Sequence, residues 1–232
     1  MEVWNWDYFF RFLVDPVILR GLWTTLWLTL VTLTLAIVVG TLVALIGRLD
    51  NFVARWFYAG YVAFFRSTPL LVQLIFFYSA LPQLGISLSV VTAAVIGLSI
   101  SESPYVAEIV RSSVSAIPTG QWEAARALGM RPYKVLKVVI FPQATRIAIP
   151  PLGNEFVRQL KNTSLVSVIS MQELFRATDN MIQASFRVLE ALTVATIYYL
   201  VLTMLWTIIQ HQIEYRLSEY AFDRRGAGGS AH

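Results

Sequence analysis

The sequence predicts an all-α integral membrane protein of about five transmembrane helices, with a charged helical hairpin between the third and the fourth. Three observations carry that expectation. Hydrophobic residues make up 56% of the 232 positions and charged ones 14%, against roughly 25% charged in an average soluble domain. An uninterrupted stretch of 27 residues, Gly21 to Gly47, holds no charge, where about 20 apolar residues suffice to cross a bilayer as a helix. Inside this apolar chain lies a short charged segment, Gln121-Trp122-Glu123-Ala124-Ala125-Arg126-Ala127-Leu128-Gly129.

Composition also excludes several chemistries. There is no cysteine, so disulfides, thiol catalysis and thiolate metal sites are absent. The two histidines, His211 and His232, leave too little for a histidine metal site or catalytic relay, and His211 reads as an interface residue at the inner end of the last helix. The net charge of +4 is spread along loops rather than clustered, which gives no nucleic-acid footprint.

Residues 1–19 form an N-terminal interfacial segment. Trp4, Trp6, Tyr8, Phe9 and Phe10 stand among charges, unlike a cleavable signal, and Trp and Tyr favour the membrane–water boundary. The membrane domain then covers 20–216. Its first helix is the uncharged run between Arg20 and Arg48. After a polar break at Arg48, Asp50, Asn51 and Arg55, the second runs from about Trp56 to Leu81 and closes at the turn Pro82-Gln83-Leu84-Gly85. Within it, Phe76-Phe77-Tyr78 reads as an interfacial belt. The third runs from about Leu88 to Val114, before Pro118.

The loop over about 115–146 contains the hairpin. Ala, Leu, Glu and Arg favour helix, Gly129 supplies a left-handed stop, and Pro132 opens a second helix towards Pro142. Ala124, Ala125 and Ala127 keep the first arm slim, so another protein surface can approach it; an ordinary amphipathic hairpin satisfies the same pattern. A fourth helix starts near Arg146 to Pro151 and continues to about Phe175, carrying Glu155, Arg158 and Lys161. The polar stretch Arg176 to Arg187 separates it from a fifth, about Val188 to Ile213. The tail, 217–232, ends in a Gly-rich linker-like segment.

Five spans place the termini on opposite sides. With the N-terminus outside, the inner segments hold eleven Lys and Arg residues and the outer ones four, which satisfies the positive-inside rule. The hairpin and the C-terminus are then cytoplasmic.

With the hairpin so placed, the chain resembles the permease subunit of bacterial ABC importers. That family's signature is Glu-Ala-Ala, three residues, Gly, nine residues, then a short apolar run ending in Pro. It reads here as Glu123-Ala124-Ala125, Gly129 and Val139-Ile140-Phe141-Pro142. The resemblance narrows to the polar amino-acid uptake subfamily, of cystine, basic and polar amino-acid type. Phe65-Arg66-Ser67-Thr68-Pro69-Leu70-Leu71-Val72-Gln73 is similar to its second-helix motif. Pro104-Tyr105-Val106-Ala107-Glu108 is similar to its third-helix motif with Pro for Ala, and Leu160-Lys161-Asn162-Thr163-Ser164-Leu165 to its fourth.

The resemblance implies a pathway-forming subunit in the bacterial inner membrane, surrounded by lipid. Its partners would be a dimer of ABC ATPase subunits, a second permease chain (identical or a close paralogue) and an extracytoplasmic amino-acid-binding protein. ATP and magnesium would sit on the ATPase, since this chain has no Gly-x-x-x-x-Gly-Lys-Ser/Thr phosphate loop, no cofactor of its own and no enzymatic chemistry. The hairpin residues Glu123, Ala124, Ala125, Gly129 and Pro142 would couple it to that ATPase. A membrane scaffold or channel-forming protein, or an ABC permease for another small solute, are the alternatives.

Ionisable residues inside a membrane usually face a partner or a cavity. By helix rise, Arg66 lies roughly 16 Å, Glu102 roughly 21 Å and Lys161 roughly 20 Å into their helices, near the middle of a core about 30 Å thick. An amino acid presents one carboxylate and one ammonium, so a site of both signs suits it. The substrate-pathway candidates are these three charges, Arg66, Glu102 and Lys161, together with Ser67, Thr68, Gln73 and Tyr105 from the motifs that carry the resemblance and Asn162 and Ser164 of the polar patch beside Lys161. For Glu102 the expected cation is Arg66, Lys161 or the substrate. The plainer readings are an Arg66–Glu102 pair that only holds helices together and interhelical hydrogen bonding around Asn162. Glu108 and Arg111, three residues apart, are read as structural.

Overall fold

A computed structural model of the chain describes residues 4–226. Among these the ordered elements are helical. Four helices are long and apolar enough to cross a membrane, or five when a bent pair counts as one span.

Helix α1 (Trp6–Leu13) starts where the Asn5 side chain accepts from the backbone N–H groups of Asp7 and Tyr8, replacing partners a helix start lacks. Its entry is tied to the far end of the sequence, because Asn5 N–H donates to Glu190 Oε1 at 2.8 Å. Helix α2 (Pro16–Ile46) follows at once, capped by Asp15 with Pro16 in its first turn. Its buried stripe includes Thr25, Leu28, Thr29, Thr32, Ala36 and Gly40. The hydroxyls of Thr29 and Thr32 donate to carbonyls one turn back, so these polar groups enter the core satisfied.

Helix α5 (Val90–Ser115) is the chief partner of α2. Gly40 faces it so closely that a methyl group there would meet Ser103 O and Val106 Cβ. Around the N-terminal halves of this pair, Leu28, Leu74, Ala93, Ala94, Leu98, Val166, Ile169 and Met171 form the largest buried cluster among the described residues.

The second span is not continuous. Helix α3 (Phe52–Ser67) and helix α4 (Leu70–Ile75), which runs on through Leu84 in wider and tighter turns, meet at 98°. The physical reason is Pro69. It forces the preceding residue out of helical backbone, and Thr68 is extended at φ −98°, ψ 131°. Gln73 closes the break: its Nε2 donates to Phe65 O at 3.1 Å, to Thr68 O at 3.1 Å and to Thr68 Oγ1 at 2.8 Å. Gln73→Leu is therefore expected to strip the break of its donor and leave part-buried carbonyls unpaired, costing about 1–3 kcal/mol. The thermal unfolding midpoint of the purified chain in detergent measures this; an unshifted midpoint would count against it.

The fourth span also differs from expectation. The helical path starts at Pro132 rather than near Arg146, so the second arm of the hairpin is continuous with α8 (Phe141–Asn162) through wide turns at Val135–Ile140. It stops at Asn162, where the chain tightens into 3-10 turns over Thr163–Ile169 and leaves through Ser170 in the left-handed region. The segment expected to be a polar break is itself a helix, α9 (Leu174–Ser185). Glu173 caps it, accepting from Phe175 N–H at 2.8 Å and Arg176 N–H at 2.6 Å. Its buried residues Leu174 and Ala177 belong with Phe12, Ile18, Ala191 and Val194 to a second core cluster.

Helix α10 runs from Val188 through Gly226, so the backbone stays helical past the tail boundary expected at 217. The rest of the Gly-rich tail lies outside the described residues.

Candidate functional site: a charged cleft at the helix break

The break in the second span, the middle of α5 and the last turns of α8 enclose a cleft of about 380 Å³. Its rim from the break is Phe65, Arg66, Ser67, Thr68, Pro69 and Leu70; α5 gives Ser101, Glu102 and Tyr105, and α8 gives Arg158 and Asn162. Glu102 lies about 18 Å along α5 by helix rise, and only 2% of its side chain is exposed.

Its partner is Arg158, whose Nη2 donates to Glu102 Oε1 at 2.8 Å. The same guanidinium pairs with Glu155, one turn earlier on α8. One cation is thus shared by two carboxylates, and the triad carries a net charge of −1 when all three are ionised. The Arg158 guanidinium also stacks on Tyr105, 3.6 Å from the ring centroid, and the Arg66 guanidinium approaches the same ring at 5.1 Å. Burial of a charge is tolerated only when it is paired and hydrogen-bonded, and Glu102 meets that condition through Arg158. Arg66 has no ion pair among the described residues.

A second feature lies at the other end of α8. Helix α6 (Thr119–Ala127) and the short α7 (Pro132–Lys134) are joined by Gly129, at φ +71°, where L side chains are disfavoured. The Gly129 and Met130 N–H groups donate to the carbonyls of Arg126 and Ala125, closing the helix end as left-handed caps do. Ala125, Ile117, Val135, Ile140 and Ala144 pack as a small core beneath it, while Glu123, Ala124 and Pro142 are exposed. Leu128 is 81% and Tyr133 69% exposed, so this hairpin presents apolar residues outward. The Arg48 guanidinium at the end of α2 lies 5.8 Å from the Trp122 ring.

Residues 36–219 match the family model described as binding-protein-dependent transport system inner membrane component. The chain belongs to that family. It is a multi-pass inner-membrane permease and a transporter subunit rather than an enzyme, and the family works with an ATPase and a second permease chain. Among its relatives, the L-cystine transport system permease protein TcyB of Bacillus subtilis is 35% identical, over 88% of either chain. The glutamine transport system permease protein GlnP of Escherichia coli K12 is 34% identical over 87% of this chain and 93% of its own. A crystal structure of an amino acid ABC transporter with histidines superposes with a TM-score of 0.86 at 34% identity, covering 92% of this chain and 99% of that one. The MetNI methionine transporter in an inward-facing form shares the fold, at TM-score 0.72 and 21% identity.

The permease brings six of the nine pathway candidates to one cleft: Arg66, Ser67, Thr68, Glu102, Tyr105 and Asn162. It leaves three elsewhere. Gln73 is buried in the break it seals. Lys161 is exposed outside the cleft, and Ser164 donates back to Lys161 O at 2.8 Å. The expected partner of Glu102 is also corrected: Arg158 takes the place proposed for Arg66 or Lys161, because it lies one helical turn before Lys161, on the face of α8 towards α5. The signal that could have found it is the i, i+3 pair Glu155–Arg158 in a mid-span helix, a costly pattern in lipid unless it faces a cavity. Glu108 and Arg111 do pair, at 3.1 Å, and Glu108 also accepts from Tyr58 OH on α3.

Proposed function

We propose that this permease forms the pathway of an ATP-driven importer for zwitterionic polar amino acids, with its N-terminus outside and its hairpin and C-terminus cytoplasmic. The observation that carries the reading is the charge arrangement in the cleft. The Glu102–Arg158–Glu155 triad sets two carboxyl groups against one guanidinium, and Arg66 holds a positive charge without an ion-pair partner among the described residues. A substrate ammonium directed to the triad and a carboxylate directed to Arg66 neutralise both ends at once. A site built for two opposite charges discriminates against solutes lacking either, most strongly at the buried Glu102 end, whose groups would be left uncompensated. A sugar or a metal ion leaves one end unmatched. The names of the cystine, glutamine and arginine relatives agree with this class.

In this reading an extracytoplasmic binding protein delivers substrate from outside. ATP and magnesium stay on the partner ATPase, whose dimer docks on the hairpin through Glu123, Ala124, Gly129 and Pro142, with the buried Ala125 supporting that surface from beneath. Lipid covers the apolar outer faces of α2 and α10. Reconstitution of the permease with its ATPase and binding protein tests the assignment: amino acids should stimulate ATP hydrolysis, and sugars should not. Equal stimulation by neither or by both would reject it.

Glu102→Gln keeps shape and removes one charge, leaving Arg158 and Glu155 as a neutral pair. Binding of a zwitterionic or basic amino acid is expected to weaken at least about tenfold, or roughly 1.4 kcal/mol, with glutamate affected least. Uptake of arginine, cystine, glutamine and glutamate by both complexes is the measurement. An unchanged order of preference would make Glu102 a packing residue.

A further inference from the structure

Helix α8 joins the two features described above, with the hairpin at its start and Arg158 near its end. Its middle is intrinsically weak. Pro150 and Pro151 carry no N–H, so they cannot donate to the carbonyls of Arg146 and Ile147, and each ring crowds the turn before it. Two residues later comes Gly153, the residue with the greatest backbone freedom. A helix interrupted in this way bends easily unless something outside holds it.

The last helix is fastened at this point. Trp206 Nε1 on α10 donates to Gly153 O at 2.9 Å, and Gln210 Nε2 donates to Pro150 O at 3.2 Å. The Trp206 ring stacks on Phe156 with centroids 3.7 Å apart. Gly153 allows this approach, since a methyl group there would collide with the Gln210 carboxamide. Gln210 is itself oriented by a 2.8 Å hydrogen bond to Glu214 Oε1. Beside the joint lies an apolar cavity of about 280 Å³ lined by Leu33, Ile37, Ile149, Leu152 and Ile213 among others. Packing alone therefore leaves room for the joint to flex towards α2.

We propose that Trp206 and Gln210 are positioning residues that make α8 a stiff lever across its proline joint, so that hairpin movement reaches Arg158 instead of being absorbed at Pro150–Gly153. Neither residue touches the cleft; both act through the α8 backbone. The inference rests on the transport reading for its coupling readout, but its mechanical readout needs only the permease assembled with its ATPase and nucleotide.

The chain has no cysteine, so paired spin labels can be introduced at Thr145 and Lys161, both exposed and on either side of the joint, about 24 Å apart by helix rise. In the reconstituted complex, their distance should stay constant within about 2 Å between the nucleotide-free and ATP–vanadate states. In a Trp206→Phe/Gln210→Met background, which keeps an aromatic ring and the length of both side chains but removes both donors, it should shift or broaden between those states. Transport per ATP hydrolysed should fall at least about fivefold in that double variant, with stimulated ATPase activity within about twofold of native. The milder Trp206→Phe alone guards against a folding defect and should give an intermediate value.

A native distance that changes with nucleotide overturns the proposal, as does a double variant whose distance stays fixed. Transport and hydrolysis falling in proportion also overturns it, since that is the behaviour of a merely structural contact. Failure of amino acids to stimulate the native complex would reject the substrate reading while leaving the distance result standing.

Discussion

Arg158→Leu is expected to reduce amino-acid uptake at least about a hundredfold, the largest effect of any single substitution in the cleft. In the native chain Arg158 lies between Glu102, almost wholly buried, and Glu155, whose side chain is 17% exposed. Leucine fills part of the volume but leaves two carboxylates facing one another. Breaking a buried pair in this way costs about 3–5 kcal/mol, part of which is recovered if one acid takes a proton. The charge pattern offered to substrate is then lost, and so is the cation stacked on Tyr105. A fall in stability alone would also reduce uptake, so the double variant Glu102→Gln/Arg158→Leu separates the two causes. Removing both members of a buried pair leaves far less uncompensated charge than removing one. Glu155 alone then lacks its cation, so the double variant should recover part of the unfolding midpoint without recovering uptake. Normal uptake by either protein, measured in proteoliposomes beside thermal unfolding, would exclude the triad from the pathway.

Gly129→Asp is expected to abolish transport while the spans still insert. The turn residue sits at φ +71°, with no neighbouring atom within 4 Å of the position a Cβ would take. Aspartate and asparagine tolerate the left-handed region better than other side chains, so the hairpin itself should survive either change. Asparagine has nearly the same shape as aspartate and no charge. If the hairpin docks an ATPase through Leu128 and its neighbours, a carboxylate at the turn would be desolvated against that surface without a partner, at a cost of several kcal/mol, whereas the amide would not. Gly129→Asn should therefore keep at least about a third of native uptake and Gly129→Asp less than about a twentieth. Equal uptake by the two would remove the turn from the coupling surface.

Much of the fold is legible in the sequence because its strongest signals are long. The uncharged run at 21–47 and the fifth apolar stretch correspond to α2 and α10, and the turn at Gly129 follows from one glycine after a helix-forming segment. What escapes is set by shorter-range effects. Continuous hydropathy from Trp56 to Leu81 hides the break, although Thr68-Pro69 carries the backbone restriction that makes it; hydropathy measures transfer to lipid and is blind to φ and ψ. Helix α9 escapes for the opposite reason. It is short and half polar, and much of what holds it, the burial of Leu174, Ala177 and Thr178 and the bond from Leu174 N–H to Thr25, depends on its neighbours being in place. The cleft was legible as a meeting of opposite charges at one depth. Its pairing was not, since which of Arg158 and Lys161 faces Glu102 depends on the rotation of α8, a quantity fixed by packing rather than by local sequence.

The close approach at Gly40 bears on how such a permease can move at all. With Ser103 O and Val106 pressed against the glycine backbone, α2 and α5 have no slack between them, and interiors packed this densely rearrange between discrete states rather than yielding gradually. The pair would therefore act as a stator carrying Glu102, with any change of the cleft left to the broken span and to α8, which hold Arg66 and Arg158. Amide exchange should accordingly be slowest along the α2–α5 seam in every nucleotide state, with state-dependent protection confined to the break and the hairpin.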